Sequence, residues 1–95
     1  MADVVWSVEA KADRDAIWYY IAEENPIAAV KMDGLFSQAA DRLGMFTMLG
    51  RVGKIPGTRE FIPHPSYRLV YEIAGDRILI LALVHVARQW PPANE

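Results

Sequence analysis

The chain has 95 residues, 53% of them hydrophobic, with no cysteine and a formal net charge of −2 at neutral pH. Its length fits a single domain over residues 1–95, and the lack of cysteine excludes disulfides, thiolate metal sites and a cysteine nucleophile. Residues 1–50 carry four basic and eight acidic side chains, whereas residues 51–95 carry six and four. Without a clear basic excess, the chain is not expected to bind DNA directly and sequence-specifically.

No membrane-spanning or secretion signal is expected in this chain. The N-terminus has no basic segment followed by a long apolar run, so it does not match a signal peptide. The longest apolar run, Ile78–Val84, is far too short to cross a bilayer and predicts a buried strand instead. We therefore expect a cytoplasmic protein without a membrane partner.

The first half of the chain predicts a strand followed by two helices. Val4–Trp6 is β-prone, and Ser7 is a suitable N-cap for a helix that reaches about Glu24. Asn25 and Pro26 then suit the N-cap and the first position of a second helix. Because the connection is so short, the two helices should form an antiparallel hairpin.

The second helix has the clearer apolar face, because its apolar residues follow alternating spacings of three and four. They are Ala29, Met32, Phe36, Ala39, Leu43 and Phe46. One side of the first helix is traced by Ala12, Ala16, Tyr19, Tyr20 and Glu23. We expect Tyr19 and Tyr20 in the core and Asp13 and Arg14 in solvent. Gly34 is expected to permit close packing between the helices.

The second half predicts three strands. Residues 50–57 are interrupted by glycine and proline and should form a loop, which lacks the GK[ST] ending of a phosphate loop. Residues 58–62 are a candidate strand that the prolines within 63–65 would close, because proline cannot donate to a ladder. Residues 67–74 and 77–86 follow as two further strands.

These last two strands should form a tight hairpin, because residues 75–76 supply the glycine that a two-residue turn needs. An uninterrupted register from this turn places Arg68 opposite Leu83. Residues two apart share a face, so Arg68 and His85 should be diagonal neighbours on one face of the sheet. A slip of one residue would send them to opposite faces.

The order of elements predicts an α+β fold in which an N-terminal strand precedes an antiparallel helix hairpin packed on a small antiparallel sheet. No group of histidine and acidic residues has the spacing of metal ligands. We therefore expect neither a metal nor a cofactor.

Three stretches resemble the ParE/RelE family of toxins from bacterial type II toxin–antitoxin systems. They are YYIAEENPIAAVKM at residues 19–32, GRVGKIPGTREFIPHPSYRLVYEI at residues 50–73 and ILILALVHVARQWP at residues 78–91. Each stretch is moderately specific by itself. Together, in this order, they cover most of the chain, and the predicted layout is also similar to that of the family.

The resemblance implies a toxin that is neutralised by a cognate antitoxin, and it leaves two targets open. The ParE branch acts on DNA gyrase without an accepted chemistry of its own, whereas the RelE branch cleaves mRNA on the ribosome. The chain resembles ParE more, because the clustered lysines and the C-terminal tyrosine of RelE-type toxins have no counterpart here. A toxin that poisons gyrase by binding is the first expectation. An mRNA endonuclease and a non-toxic interaction module are the alternatives.

The candidate site residues are cationic or aromatic, and arginine and tryptophan often anchor interfaces. The five expected partner contacts are Arg59, Arg68, His85, Arg88 and Trp90. If the chain cleaves RNA, the resemblance makes Arg68, His85 and Arg88 its catalytic residues, which would hold phosphate and move protons.

Structural roles compete with these functional ones. Arg59 would pair with Glu60 across strands, and Arg68 would form a salt bridge with Glu72 on the same face. His85 near a strand end would then be a histidine whose hydrogen bonds are satisfied within the fold.

Overall fold

The computed structural model describes residues 1–92, in which two helices pack on one face of a five-stranded sheet. The elements are β1 (Asp3–Trp6), α1 (Val8–Ala22), α2 (Pro26–Met45), β2 (Arg51–Val52), β3 (Arg59–His64), β4 (Tyr67–Ala74) and β5 (Arg77–His85). The strand order is β1-β5-β4-β3-β2, with β1 parallel to β5 and the other neighbours antiparallel. The predicted α+β class is confirmed, although the sheet is mixed.

The capping residues of both helices are those predicted. Ser7 Oγ accepts a hydrogen bond from the N–H of Ala10 at 3.0 Å, which satisfies one of the free amides at the start of α1. Asn25 Oδ1 accepts from the N–H of Ala28 at 3.1 Å, and Pro26 occupies the first position of α2. These local signals fix where the hairpin begins and turns.

The buried side of α1 is not the predicted one. Ala10 is fully buried and Ile17 packs against the same core, whereas Tyr19 and Tyr20 are 71% and 77% exposed. Ala10 and Ile17 are seven residues apart and therefore lie on one helix face, which leaves the two tyrosines on the solvent side. The expectation that these tyrosines lie in the core is wrong.

Arg14, expected in solvent, instead ties α1 to α2. Its Nε and Nη2 donate to the two carboxylate oxygens of Asp33 at 2.6 and 3.0 Å, and Nη2 donates to Ser37 Oγ at 2.7 Å. The guanidinium also lies 4.7 Å from the centroid of the Trp6 ring. Bidentate pairing and the aromatic contact together orient the hairpin on β1.

The glycine that permits close packing is not the predicted one. A Cβ at Gly34 would meet nothing within 4 Å, so this residue is not needed for contact between the helices. A Cβ at Gly44 would lie 3.1 Å from the carbonyl oxygen of Ala2, and the Ala2 N–H donates to the Gly44 carbonyl at 2.8 Å. Close approach therefore occurs where the end of α2 meets the N-terminal segment.

The sheet has an apolar core on each face. The helix-facing core contains most of the fully buried large side chains, among them Phe36, Leu43, Leu69, Tyr71, Ile78 and Ile80. The opposite face carries a smaller cluster of Val70, Ala82 and Val84, against which Trp90 packs. A core on both faces explains why β5 is apolar on nearly every residue.

The hairpin of β4 and β5 begins as predicted and then shifts register. Gly75 adopts a positive φ of 63°, and Ala74 pairs with Arg77. The shift comes between Val70 and Tyr71, and it leaves Leu81 of β5 without a partner on β4. Every pair beyond this β-bulge is offset by one residue from the predicted register.

The N-cap residue of α1 and a side chain in its second turn hold the bulge. Ser7 Oγ donates to the Leu81 carbonyl at 3.2 Å, and Asp13 Oδ2 accepts from the Leu83 N–H at 3.0 Å. β1 pairs with β5 only as far as Trp6, opposite Ile80. The two side chains satisfy backbone groups of β5 that follow Ile80 and have no partner on β1. Asp13, expected in solvent, thus has a structural role.

Two parts of the second half also differ from prediction. Residues 51–52, expected in a loop, form β2 at the sheet edge next to β3. β3 continues through Pro63 to His64, because the register with β4 shifts between Phe61 and His64 and removes the proline from the ladder.

Candidate partner-binding groove

A groove of about 350 Å³ lies between α1 and the adjoining ends of β4 and β5. Four of its lining residues come from α1, three from the sheet and one from the turn after β5: Asp13, Ala16, Ile17, Tyr20, Tyr67, Leu83, His85 and Arg88. The volume lies near the lower end of ordinary ligand pockets, which span about 300–1,000 Å³. The groove combines apolar walls with several hydrogen-bond donors.

Tyr67 is the most deeply buried polar side chain of the groove, with 7% of its surface exposed. Its ring packs edge-on against Phe36, with centroids 5.5 Å apart, and against His85, at 5.4 Å. Within residues 1–92 its hydroxyl has no hydrogen-bond partner, whereas the hydroxyl of Tyr71 donates to Thr47 and accepts from Gly50. The Tyr67 hydroxyl is therefore available to a ligand.

Burial raises the pKa of Tyr67 above its ordinary value of 10.0, and the nearby Tyr20 raises it further. The Tyr67 hydroxyl consequently stays protonated at neutral pH and acts as a hydrogen-bond donor. A phenol with a raised pKa is a poor general base, because it gives up its proton even less readily than a free tyrosine.

His85 and Arg88 form the outer rim of the groove, and both are exposed. His85 Nδ1 accepts from the Ala87 N–H at 3.0 Å, and the His85 carbonyl accepts from the Arg88 N–H at 2.9 Å. These bonds close a tight turn after β5 and direct the chain past the groove. Because Nδ1 is an acceptor, Nε2 is the ring atom that carries the proton in neutral His85.

Arg68 lies on the opposite face of the sheet from His85, so the prediction that they share a face is wrong. The bulge pairs Arg68 with Val84 and Tyr67 with His85, and alternate residues point to opposite faces. Arg68 therefore shares its face with the Val70 cluster, away from the helices. Leu81, the extra residue in β5, is the physical cause.

Arg68 forms an ion pair with Glu60, a residue that is only 2% exposed. The Arg68 Nε lies 3.2 Å from Glu60 Oε1, an ion-pair distance without the alignment of a hydrogen bond. The same oxygen lies 3.4 Å from Arg51 Nη2, and Glu60 Oε2 accepts from the Lys54 N–H at 3.0 Å. The expected partner of Arg68 was Glu72; the observed one is Glu60, which reaches it across β3 and β4.

The comparisons with known proteins agree with this architecture. A family model described as "ParE toxin of type II toxin-antitoxin system, parDE" matches residues 4–90. The chain belongs to this ParE toxin family. Toxin RelE2 of Caulobacter vibrioides is 36% identical to this ParE-family chain over 88 residues, which cover 93% of the chain and 99% of the relative.

Two solved structures share the fold of this ParE-family chain. The chromosomal ParDE TA system from P. aeruginosa matches with a TM-score of 0.79 and 24% identity, covering 90% of this chain and 97% of that chain. The conserved hypothetical protein HP0894 from Helicobacter pylori matches with a TM-score of 0.60 and 19% identity, covering 92% and 97%. Both likenesses concern the fold alone.

Arg59 and Trp90, the remaining expected contacts, have structural roles in this ParE-family chain. Arg59 Nε donates to the Gly50 carbonyl at 2.8 Å, so it binds the loop before β2 and does not pair with Glu60. The Trp90 ring covers the cluster of Val70, Ala82 and Val84, and its carbonyl accepts from Lys54 Nζ at 3.3 Å.

Sequence reasoning does not single out Tyr67 of the groove, nor Glu60 as the partner of Arg68 on the opposite face of this ParE-family chain. Tyr67 precedes Arg68 in the YRLVY stretch, and a correct register would have placed it beside His85. Glu60 stands between Arg59 and Phe61 within a predicted strand, where a buried acid needs a partner. Across residues 1–92, no three His, Asp or Glu side chains group as metal ligands, and no helix is long and apolar enough to cross a membrane.

Proposed function

We propose that this ParE-family chain acts by binding: its antitoxin holds it inactive, and the free toxin poisons DNA gyrase in the cytoplasm. The observation that carries the proposal is the separation of Arg68 from His85 by the thickness of the sheet. Cleavage of RNA needs a base, a cation at the phosphate and an acid around one reacting atom. Of the three candidate residues, His85 and Arg88 line the groove, but Arg68 faces the other side of the sheet and cannot join them.

The charge state of Arg68 supports the same proposal. Its side chain is 12% exposed and lies beside the buried carboxylate of Glu60, so its charge is already balanced within the fold. A phosphate would have to displace or compete with that carboxylate. Tyr67, which does stand beside His85, has a raised pKa and would be a poor base.

We propose Arg88 and His85 as the partner contacts among the expected residues. Both are exposed on the rim of the groove, where they are available to another macromolecule. Arg59, Arg68 and Trp90 would contribute indirectly, because they support the loop before β2 and the far face of the sheet.

The test compares two targets under the same conditions. The purified chain is incubated with gyrase, ATP and supercoiled plasmid, and separately with ribosomes programmed with a defined message. We expect cleaved plasmid trapped on gyrase and an intact message. Specific cuts in the message that Arg88→Gln abolishes would support the RelE-like alternative. The name of the Caulobacter relative, Toxin RelE2, is the reason to test that alternative. Activity in neither reaction, with normal growth on expression, would support the non-toxic module.

A further inference from the structure

The groove contains an unused hydrogen-bond donor at its floor. Tyr67 is 7% exposed, and within the described residues its hydroxyl bonds to no other group. Tyr71, which also lies in the helix-facing core, uses its hydroxyl twice, with Thr47 at 2.8 Å and Gly50 at 2.9 Å. The Tyr67 hydroxyl is open to the groove and not fully buried, so a ligand that enters the groove can accept its hydrogen bond.

The groups around this hydroxyl are also donors. The neutral His85 ring offers Nε2–H, because Nδ1 already accepts from Ala87. Arg88 offers its guanidinium N–H groups, and Tyr20 offers a second phenol. The acceptor in the lining is the Asp13 carboxylate, one oxygen of which, Oδ2, already accepts from the Leu83 N–H. Because donors outnumber acceptors in the lining, the groove favours a ligand that supplies acceptor oxygens.

We infer that the groove is the subsite for an antitoxin segment that presents a carboxylate next to an apolar side chain. The carboxylate pairs with Tyr67, His85 and Arg88, and the apolar side chain lies against Ala16, Ile17 and Leu83. The inference rests on the proposed function, in which a protein partner covers this surface.

The charges of the groove favour a peptide over a nucleic acid. Arg88 is the permanent cation among the lining residues, and Asp13 stands on the opposite wall. This arrangement suits one isolated anion, whereas a chain of phosphates needs several cations and a basic surface. The whole protein has a net charge of −2, which would repel a nucleic acid backbone.

The first experiment titrates the isotopically labelled chain with acetyl-Leu-Glu-amide, followed by NMR. We expect shifts confined to the groove and about tenfold weaker binding of acetyl-Leu-Gln-amide, because hydrogen bonds to a charged group are the stronger ones. Tyr67→Phe and Arg88→Gln should each weaken binding of the glutamate peptide about tenfold. The matched controls Tyr19→Phe and Arg77→Gln, both at exposed positions outside the groove, should bind as the wild type does.

Three results would overturn the inference: equal binding of the two peptides, no binding of either, or tighter binding of adenosine monophosphate. The second experiment measures the dissociation of the intact complex with the antitoxin encoded beside this chain. Tyr67→Phe and Arg88→Gln should weaken that complex about tenfold, and the two controls should not. Unchanged affinity for both groove variants would equally refute the subsite.

These results separate the subsite from the proposed gyrase activity. If the wild type binds the glutamate peptide in the groove but traps no cleaved plasmid, the gyrase proposal fails and the subsite stands. If gyrase is poisoned while the peptides do not discriminate, the subsite alone is wrong.

Discussion

Replacing Glu60 by glutamine removes a buried charge on which the far face of the sheet depends. Glu60 Oε1 lies 3.2 Å from Arg68 Nε and 3.4 Å from Arg51 Nη2, and Oε2 accepts from the Lys54 N–H at 3.0 Å. Glutamine keeps the size of the side chain and a carbonyl acceptor, so the change isolates the charge. Arg68 is then left without its counter-charge.

The expected loss of stability follows from the exposure of the two arginines. Removing one partner of a buried ion pair costs about 3–5 kcal/mol. Arg51 is 61% exposed and water screens it, whereas the Arg68 side chain is 12% exposed, which places the loss near the low end, about 3 kcal/mol. At about 4–8 °C per kcal/mol, the melting temperature should fall by roughly 12–24 °C.

The assay is urea unfolding, followed by circular dichroism, of the wild type, Glu60→Gln, Arg51→Gln and the double variant Glu60→Gln/Arg68→Met. The double variant should recover most of the stability, because no unpaired buried charge remains. Arg51→Gln should stay within about 0.5 kcal/mol of the wild type. A Glu60→Gln variant as stable as the wild type would refute the reasoning, because Arg68 would not then depend on that carboxylate.

Three further predictions concern the helices and the groove. Gly34→Ala should stabilise the fold by about 1 kcal/mol. Gly44→Ala should destabilise it, because its Cβ would lie 3.1 Å from a backbone oxygen. Urea unfolding of both variants beside the wild type measures the two changes in the free energy of unfolding. Arg14→Lys should lower the melting temperature by a few degrees, since lysine cannot keep the bidentate contact. Because the pKa of Tyr67 is raised in the folded protein, its protonated hydroxyl contributes stability at pH values below the unfolded pKa. That contribution to the free energy of unfolding is lost as the pH rises through the folded pKa. The wild type should therefore lose more stability than Tyr67→Phe between about pH 8 and about pH 11.

The parts of the fold with local causes could be predicted from the sequence. The Ser7 and Asn25 caps act within three residues, and Gly75 supplies a positive φ that its own turn requires. The predicted stripe on α2 holds from Ala29 to Leu43, about four turns, and gives the buried face of the helix. Its last predicted member, Phe46, lies beyond the helix end and is 61% exposed, so that part of the prediction is wrong. These signals are sufficient to predict the helix hairpin and the last β-hairpin.

The remaining features depend on contacts distant in sequence. The bulge at Leu81 is held by Ser7 and Asp13, about seventy residues earlier, and no local pattern in β5 marks it. The buried side of α1 depends on where β5 lies, so the pattern of α1 alone does not place Tyr19 and Tyr20 on its exposed side. Because the bulge decides which face each later residue occupies, the site could not be assembled from the sequence.

The most direct test of the account uses the double variant Glu60→Gln/Arg68→Met, because it removes the sheet-face arginine without leaving an unpaired charge. The folded variant, incubated with gyrase and supercoiled plasmid, should trap cleaved DNA as the wild type does, since Arg68 serves the fold. A variant that folds normally but no longer traps cleaved DNA would contradict the claim that Arg68 serves only the fold. A wild type that cuts ribosome-bound message through Arg68 would contradict the central claim that this toxin acts by binding.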